Sequence, residues 1–146
     1  MATYVTSVNN LSNLPNLGRL NLVVNHITNI NLTGCSNLNQ LYLTNNQLTS
    51  LDISDCSNLS QFNVGNNPNL TNITIPNLSF CIYFSAFGDS LPTEEIDDIL
   101  ITLANNSQTG GYAFLDGNLN GIPTISGINA ANYLTGDAGW VVTYNT

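Results

Sequence analysis

Written in rows from Leu20, Leu41, Phe62 and Phe84, the chain places the same residue types in columns, with steps of 21, 21 and 22 residues. This short period constrains the fold more than any other feature. A coil of that length cannot bury its own apolar side, so coils must stack. Row one runs Leu20, Leu22, Asn25, Ile27, Ile30, Leu32, Cys35, Leu38. Row two runs Leu41, Leu43, Asn46, Leu48, Leu51, Ile53, Cys56, Leu59, and row three runs Phe62, Val64, Asn67, Leu70, Ile73, Ile75, Leu78, Cys81. The extra residue of row three falls at Pro68-Asn69. Row four opens with Phe84, Ala86, Asp89 and Leu91 and then departs, while Leu11, Leu14 and Leu17 fit an incomplete row before the first.

Alternation within each opening L-x-L turns its flanking apolar residues inward and the middle one outward. Stacked rows then give a parallel sheet, and the second pairs, Ile30/Leu32, Leu51/Ile53 and Ile73/Ile75, give an opposite wall of β type. Asn25, Asn46 and Asn67 fall where each coil turns. A buried amide there satisfies backbone groups left unpaired by the turn, which makes these three a structural ladder. Asp89 takes that column in row four. An ionised carboxylate cannot donate, so the ladder is expected to end or to meet water there.

The skeleton L-x-L-x-x-N-x-L, over roughly residues 9–91, resembles the leucine-rich repeat family. The "CSNL" row endings resemble the short repeats of bacterial and phage surface proteins. The stretch after "LPTEEIDDIL", ending in "GWVVT", looks like the C-terminal segment that closes such arrays. The resemblance implies an α/β solenoid with a concave parallel sheet and a helix-strand-helix-strand cap. One domain over 1–146 is expected, with an N-terminal cap over 1–19, repeats over 20–91 and a C-terminal cap over 92–146.

The C-terminal pattern supports a change of period. Thr93 is placed to cap a helix whose first turns carry Glu94, Glu95, Asp97 and Asp98 at the positive end of the dipole. Ile96, Ile99, Leu100 and Leu103 have the spacing of one buried helical face. Residues 112–116 read as a strand, 128–134 as a short helix and 140–144 as a last strand. Strand–helix–strand units add parallel strands, so the sheet is expected to continue through both. At the other end, 3–8 is β-prone and is expected to pair with the first coil.

Composition limits the partners. Arg19 is the only basic residue beside nine acids among 146 residues, for a net charge of −8. Nucleic acid and anionic membrane surfaces both need several cations, and neither is expected as a partner. A phosphate loop lacks its lysine. No apolar run is long enough for a leader or a membrane span, so the chain is expected to begin directly as domain and to leave a cell, if it does, by lysis or a contractile machine. Charged residues are 7% of the chain, and 26 Asn, 20 Leu and 15 Thr fill the space instead.

Candidate sites weigh mostly toward structure. Cys35 and Cys56 share a column, about one strand spacing apart, within reach of a disulfide. Leu78 holds that column next, so all three cysteines, Cys81 included, read as reduced core thiols with a bridge as the alternative. DGNLNG at 116–121 matches the first half of a calcium loop, but Gly127 stands where the closing Glu belongs, so the segment reads as an Asn/Gly turn. The acids at 94–98 read as helix capping. His26 is expected at the surface, and Asp52 and Asp55 lie on the outer wall, away from any cleft. No catalytic set and no metal or other cofactor is expected.

The outward positions of the concave sheet remain. They are Arg19, Asn21, Val23; Gln40, Tyr42, Thr44; Gln61, Asn63, Gly65; Tyr83, Ser85, Phe87; and Tyr112, Phe114, Asp116. Aromatics gather toward the C-terminal half, so Tyr42, Tyr83, Phe87, Tyr112 and Phe114 are the candidate binding residues. The competing reading packs Tyr83, Phe87 and Phe114 under the cap. The expected function is non-enzymatic recognition of protein or glycan, on a phage virion surface as a decoration or tail-associated adhesin. Partners would be other virion proteins, identical copies, or a host-surface glycan or protein. A self-assembling subunit and a bacterial cell-surface or secreted adhesin are the alternatives.

Overall fold

A computed structural model describes residues 3–105 and 108–146. The strands are β1 (Ser7–Val8), β2 (Arg19–Asn21), β3 (Asn29–Ile30), β4 (Gln40–Tyr42), β5 (Ser50–Asp52), β6 (Gln61–Asn63), β7 (Asn72–Thr74), β8 (Tyr83–Ser85), β9 (Tyr112–Phe114) and β10 (Val141–Thr143). Two helices, α1 (Thr93–Ala104) and α2 (Ile125–Gly136), lie between β8, β9 and β10. Six strands form one parallel sheet in the order β10-β9-β8-β6-β4-β2. The chain is thus a parallel-strand solenoid of about four turns with a spacing near 22 residues. Its register joins Leu41 to Phe62 and Phe62 to Phe84, as the rows require.

The inward columns form one core. Leu41, Leu43, Phe62, Val64, Phe84 and Ala86 are fully buried from the sheet side. Leu51, Ile53 and Ile73 close the other side. Phe62 and Phe84 pack with tilted rings, 4.8 Å between centroids. Leu20 and Leu22 are only half-buried, because β2 is the end strand and no coil covers it. The opposite wall is not one sheet. β5 pairs with β7, while β3 pairs with β1, so the N-terminal strand extends the outer wall and leaves the broad sheet's edge open.

Every coil turns through a left-handed residue just before the ladder position: Val24 (φ 57), Asn45 (φ 59), Asn66 (φ 60) and Gly88 (φ 73). Asn and Gly tolerate this backbone, whereas Val24 is strained there. The next residue then aims its amide into the coil. Asn46 accepts from Ile27 N–H at 3.0 Å and donates to the carbonyls of Leu22 at 2.9 Å and Leu43 at 2.8 Å. Asn67 accepts from Leu48 N–H at 3.0 Å and donates to the carbonyls of Leu43 and Val64. A second series of amides runs along another corner, where Asn37 donates to Pro15 O and Asn58 to Ser36 O, each at 2.7 Å.

The ladder neither ends nor opens to water at Asp89. That side chain is 0% exposed, and Asn120 adds a further rung beyond it. Asn120 accepts from Leu91 N–H at 3.0 Å and donates to Ala86 O at 2.7 Å and Leu115 O at 3.0 Å. The calcium-like segment is therefore a rung and a turn: Asn120 is spent inside, and the Asn145 side chain bonds Gly117 N–H, Gly117 O and Asn120 O.

The α1 helix buries Ile96, Ile99, Leu100 and Leu103 against the coils. Thr93 does not cap it; Pro92 takes the cap position without a side-chain bond, and Thr93 is the first helical residue. The acids do more than face the dipole. Glu95 accepts from the Asn72 side chain at 2.6 Å and from Ile73 N–H at 3.3 Å, which finishes the open edge of β7. Asp97 accepts from Thr124 N–H at 2.9 Å and from its hydroxyl, which pins the start of α2 to α1. The second helix spans twelve residues, longer than the pattern suggests, because Thr124 caps it by accepting from Ser126 N–H at 3.2 Å. The strands β9 and β10 are shorter than their β-prone stretches. Gly111 is required where they meet, since a Cβ there would lie 2.6 Å from the Trp140 indole.

Cys35, Cys56 and Cys81 are buried thiols held in no disulfide. Burial pushes the Cys56 and Cys81 thiols up to about 12, and it also raises Cys35. The thiolate is the reactive species, so these groups are inert in the folded chain. Iodoacetamide at pH 8 is expected to modify none of them natively and all three in denaturant, read by mass. Native labelling at a rate near that of a free peptide thiol would contradict this burial.

Candidate interaction face

Strand register arranges the outward side chains in rows that cross all six strands. One row is Arg19, Gln40, Gln61, Tyr83, Tyr112, Val141. The next is Asn21, Tyr42, Asn63, Ser85, Phe114, Thr143. Beyond the strand ends the backbone bonds continue in step, with Asn45 N–H on Gly65 O, Asn66 N–H on Phe87 O and Gly88 N–H on Asp116 O. This sets Gly65, Phe87 and Asp116 side by side.

Three of the five candidate aromatics come together. Tyr83 and Phe114 lie 5.8 Å apart edge to face, Tyr112 and Phe114 lie 6.1 Å apart near parallel, and Tyr83 and Tyr112 lie 6.5 Å apart. Adjacent rings at these separations gain from quadrupole contacts and present one amphipathic surface. They are not packed away beneath the helices: Tyr112 is 48% exposed, and Tyr83 and Phe114 are half-buried by one another on the open face. Phe87, 44% exposed, stands apart from the ring cluster, across a hollow from Phe114. Tyr42 lies two strands away from Tyr83. The Arg19 guanidinium sits 5.3 Å from the centroid of its ring, and its hydroxyl donates to Gln61 Oε1. The lone cation is thus engaged with an aromatic face.

Two outward positions are closed. Ser85 is buried between Asn63 and Phe114. Gly65 is buried because the Phe87 carbonyl crosses over it, 2.8 Å from where a Cβ would stand. These small residues floor the hollow between Phe87 and Phe114, a space of about 430 Å³. A larger recess of about 1080 Å³ adjoins it and shares Asn66, Phe87 and Asp116 with it.

The remaining polar groups are structurally placed. His26 is exposed and stacks on Tyr4 with ring centroids 4.2 Å apart. On the outer wall, Asp55 accepts from Gly34 N–H at 2.8 Å and Asp52 from Ser54 N–H at 2.9 Å; contrary to expectation, both line a hollow of about 310 Å³ between neighbouring coils. Hydrogen bonds from the Ser54 side chain and backbone hold Asp52 below the usual carboxylate range. Among the described residues no three His, Cys, Asp or Glu side chains gather as metal ligands, and no helix is long and apolar enough to cross a membrane.

Sequence reasoning missed Asp116 as a member of this face's hollow and Asn120 as a ladder residue. The first needed the β8–β9 register, and the second was masked by its calcium-like setting. No family model, no curated protein and no solved structure matches the chain.

Proposed function

We propose that the chain is a non-enzymatic recognition module of the leucine-rich-repeat type, closed by a C-terminal cap, which engages a partner through the concave face of its six-stranded sheet. The Tyr83–Tyr112–Phe114 cluster carries this reading. Exposed aromatics beside uncharged Gln, Asn and Thr give apolar area with hydrogen-bonding edges, the chemistry that dominates contact hot spots. The surroundings carry almost no charge, so steering over distance contributes little and short-range contact does the selecting.

The setting we propose is a phage virion surface, as a decoration or tail-associated adhesin. Its support is the resemblance of the repeats and the closing segment to phage and bacterial surface proteins. Mass spectrometry of purified particles should detect the chain, and its absence from them moves the reading to a bacterial surface or secreted adhesin. On glycan and protein arrays, Tyr83→Ala and Tyr112→Ala should each weaken any signal by about tenfold or more. Tyr133→Ala on α2, equally exposed, should leave it unchanged. Insensitivity to both face variants rejects this face as the working surface.

A second reading has one observation of its own. The sheet ends in two open parallel edges, β2 and β10, with Leu20 and Leu22 half-buried and Val141 49% exposed. Head-to-tail addition of copies through such unlike edges does not close on itself and gives filaments. Light scattering at high concentration tests it, and a monodisperse monomer excludes it.

A further inference from the structure

We infer that the hollow between Phe87 and Phe114, with Asp116 on its rim, is a binding site for a neutral, linear oligosaccharide. This inference rests on the reading of the sheet face as a recognition surface and names the ligand class for one part of it. The two rings supply apolar walls, and an uncharged sugar ring offers matching C–H faces between its hydroxyls. Asp116 uses one carboxylate oxygen to accept from the Thr143 hydroxyl, and the other makes no hydrogen bond among the described residues. Asn63 uses its carbonyl oxygen on Gly65 N–H at 3.1 Å, which leaves its NH₂ to donate. A charged acceptor and an amide donor on one hollow can each engage a sugar hydroxyl, and hydrogen bonds to charged groups are the stronger kind.

Charge narrows the class. No cation lines either recess. Arg19 lies on β2, the far edge of the sheet, and faces Tyr42. An anionic ligand would meet Asp116 without a counter-charge. A cation lacks further carboxylates, since the described residues hold no cluster of three ligands. The floor argues against an extended peptide, because the strand amides beneath it are already paired along the sheet and leave no backbone ladder to extend. Length follows from the adjoining recess. Together the two spaces exceed a single ring, and Phe87 borders both, so the site suits a chain of rings that runs past Phe87 from one to the other.

The test is titration calorimetry of the full chain against cellohexaose, maltohexaose, mannohexaose, chitohexaose and, as an anionic probe, oligogalacturonate. Saturable binding of at least one neutral hexasaccharide, with Kd of about 1 mM or tighter, is expected. Phe87→Ala and Asp116→Asn should each weaken it about tenfold, with circular dichroism unchanged, while Tyr133→Ala on α2, off this face, should not. No heat from any neutral probe at about 10 mM overturns the inference. So does preference for the anionic probe, or binding indifferent to both hollow variants. A protein partner lost in Tyr112→Ala, with no sugar response, sinks the oligosaccharide site and leaves the recognition face standing.

Discussion

Asp89→Asn should stabilise the folded chain at pH 7 by roughly 3–4 kcal/mol and remove most of a pH dependence that the parent shows between about pH 4 and 8. Asp89 sits in a column of amides and is fully buried. Its Oδ1 accepts from Asn67 N–H at 2.6 Å, and its Oδ2 has no partner among the described residues. The carbonyls show what is missing. Leu22 O and Leu43 O each take two amide donors, one from their own coil and one from the next. Among the described residues, Val64 O takes a side-chain amide from Asn67 alone and Ala86 O from Asn120 alone. A donor at position 89 belongs between them, and a protonated carboxyl supplies one bond where asparagine supplies two.

Burial pushes the Asp89 carboxyl up to about 8, against the opposing pull of the Asn67 N–H. The unfolded chain ionises near pH 4. Below that value both states hold the proton and its contribution is complete. Between about 4 and 8 only the folded state holds it, so stability falls by up to about 1.4 kcal/mol per pH unit. Above 8 both states are ionised and the slope disappears. Urea unfolding of parent and variant across pH 4–9 should give curves that converge near pH 4 and separate toward pH 8. Curves that stay parallel would show that Asp89 does not carry a raised affinity for its proton.

The repeat columns were legible because they are set by neighbours one coil away, at a constant step. Alternation placed Leu41, Phe62 and Phe84 inside, where they are fully buried, and Tyr83, Tyr112 and Phe114 outside, where they keep exposed surface. Helical spacing likewise named the four buried residues of α1. What the chain concealed depends on contacts across unequal excursions. The step from Tyr83 to Tyr112 is longer than a repeat and passes through a helix, so no periodicity sets their pairing. That register alone brings Tyr83 beside Phe114 and Phe87 beside Asp116. Asn120 was hidden in the same way: it follows Leu115 by five residues, whereas Asn46 follows Leu43 by three. The fate of Asp89 also lay outside reach, since a carboxylate in that column argued for water and the further rung beyond it, Asn120, was itself hidden. The N-terminal strand does pair with the first coil, as its β-prone stretch suggested, whereas the break between β3 and β5 that divides the outer wall into two short sheets had no signal in the rows.

Asn67→Ala should cost about 3–5 kcal/mol, the largest loss from any single rung, whereas Asn25→Ala should cost only about 1 kcal/mol. Both residues hold the same column, so side-chain type cannot separate them; burial does. Asn67 is 0% exposed, and truncation strands Leu48 N–H together with one acceptor site each on Leu43 O and Val64 O, where no water reaches. Each buried polar group left unpaired costs about 1–3 kcal/mol, and the cavity adds to it. Asn25 lies in the end coil and is only half-buried. Its partners, Val5 N–H at 2.9 Å and Leu22 O at 3.0 Å, sit where solvent can replace the lost amide. Denaturant unfolding with an unchanged m value measures the difference. Equal losses at the two positions would mean that the amides act through local turn geometry alone, and that burial inside the stack adds nothing to what they contribute.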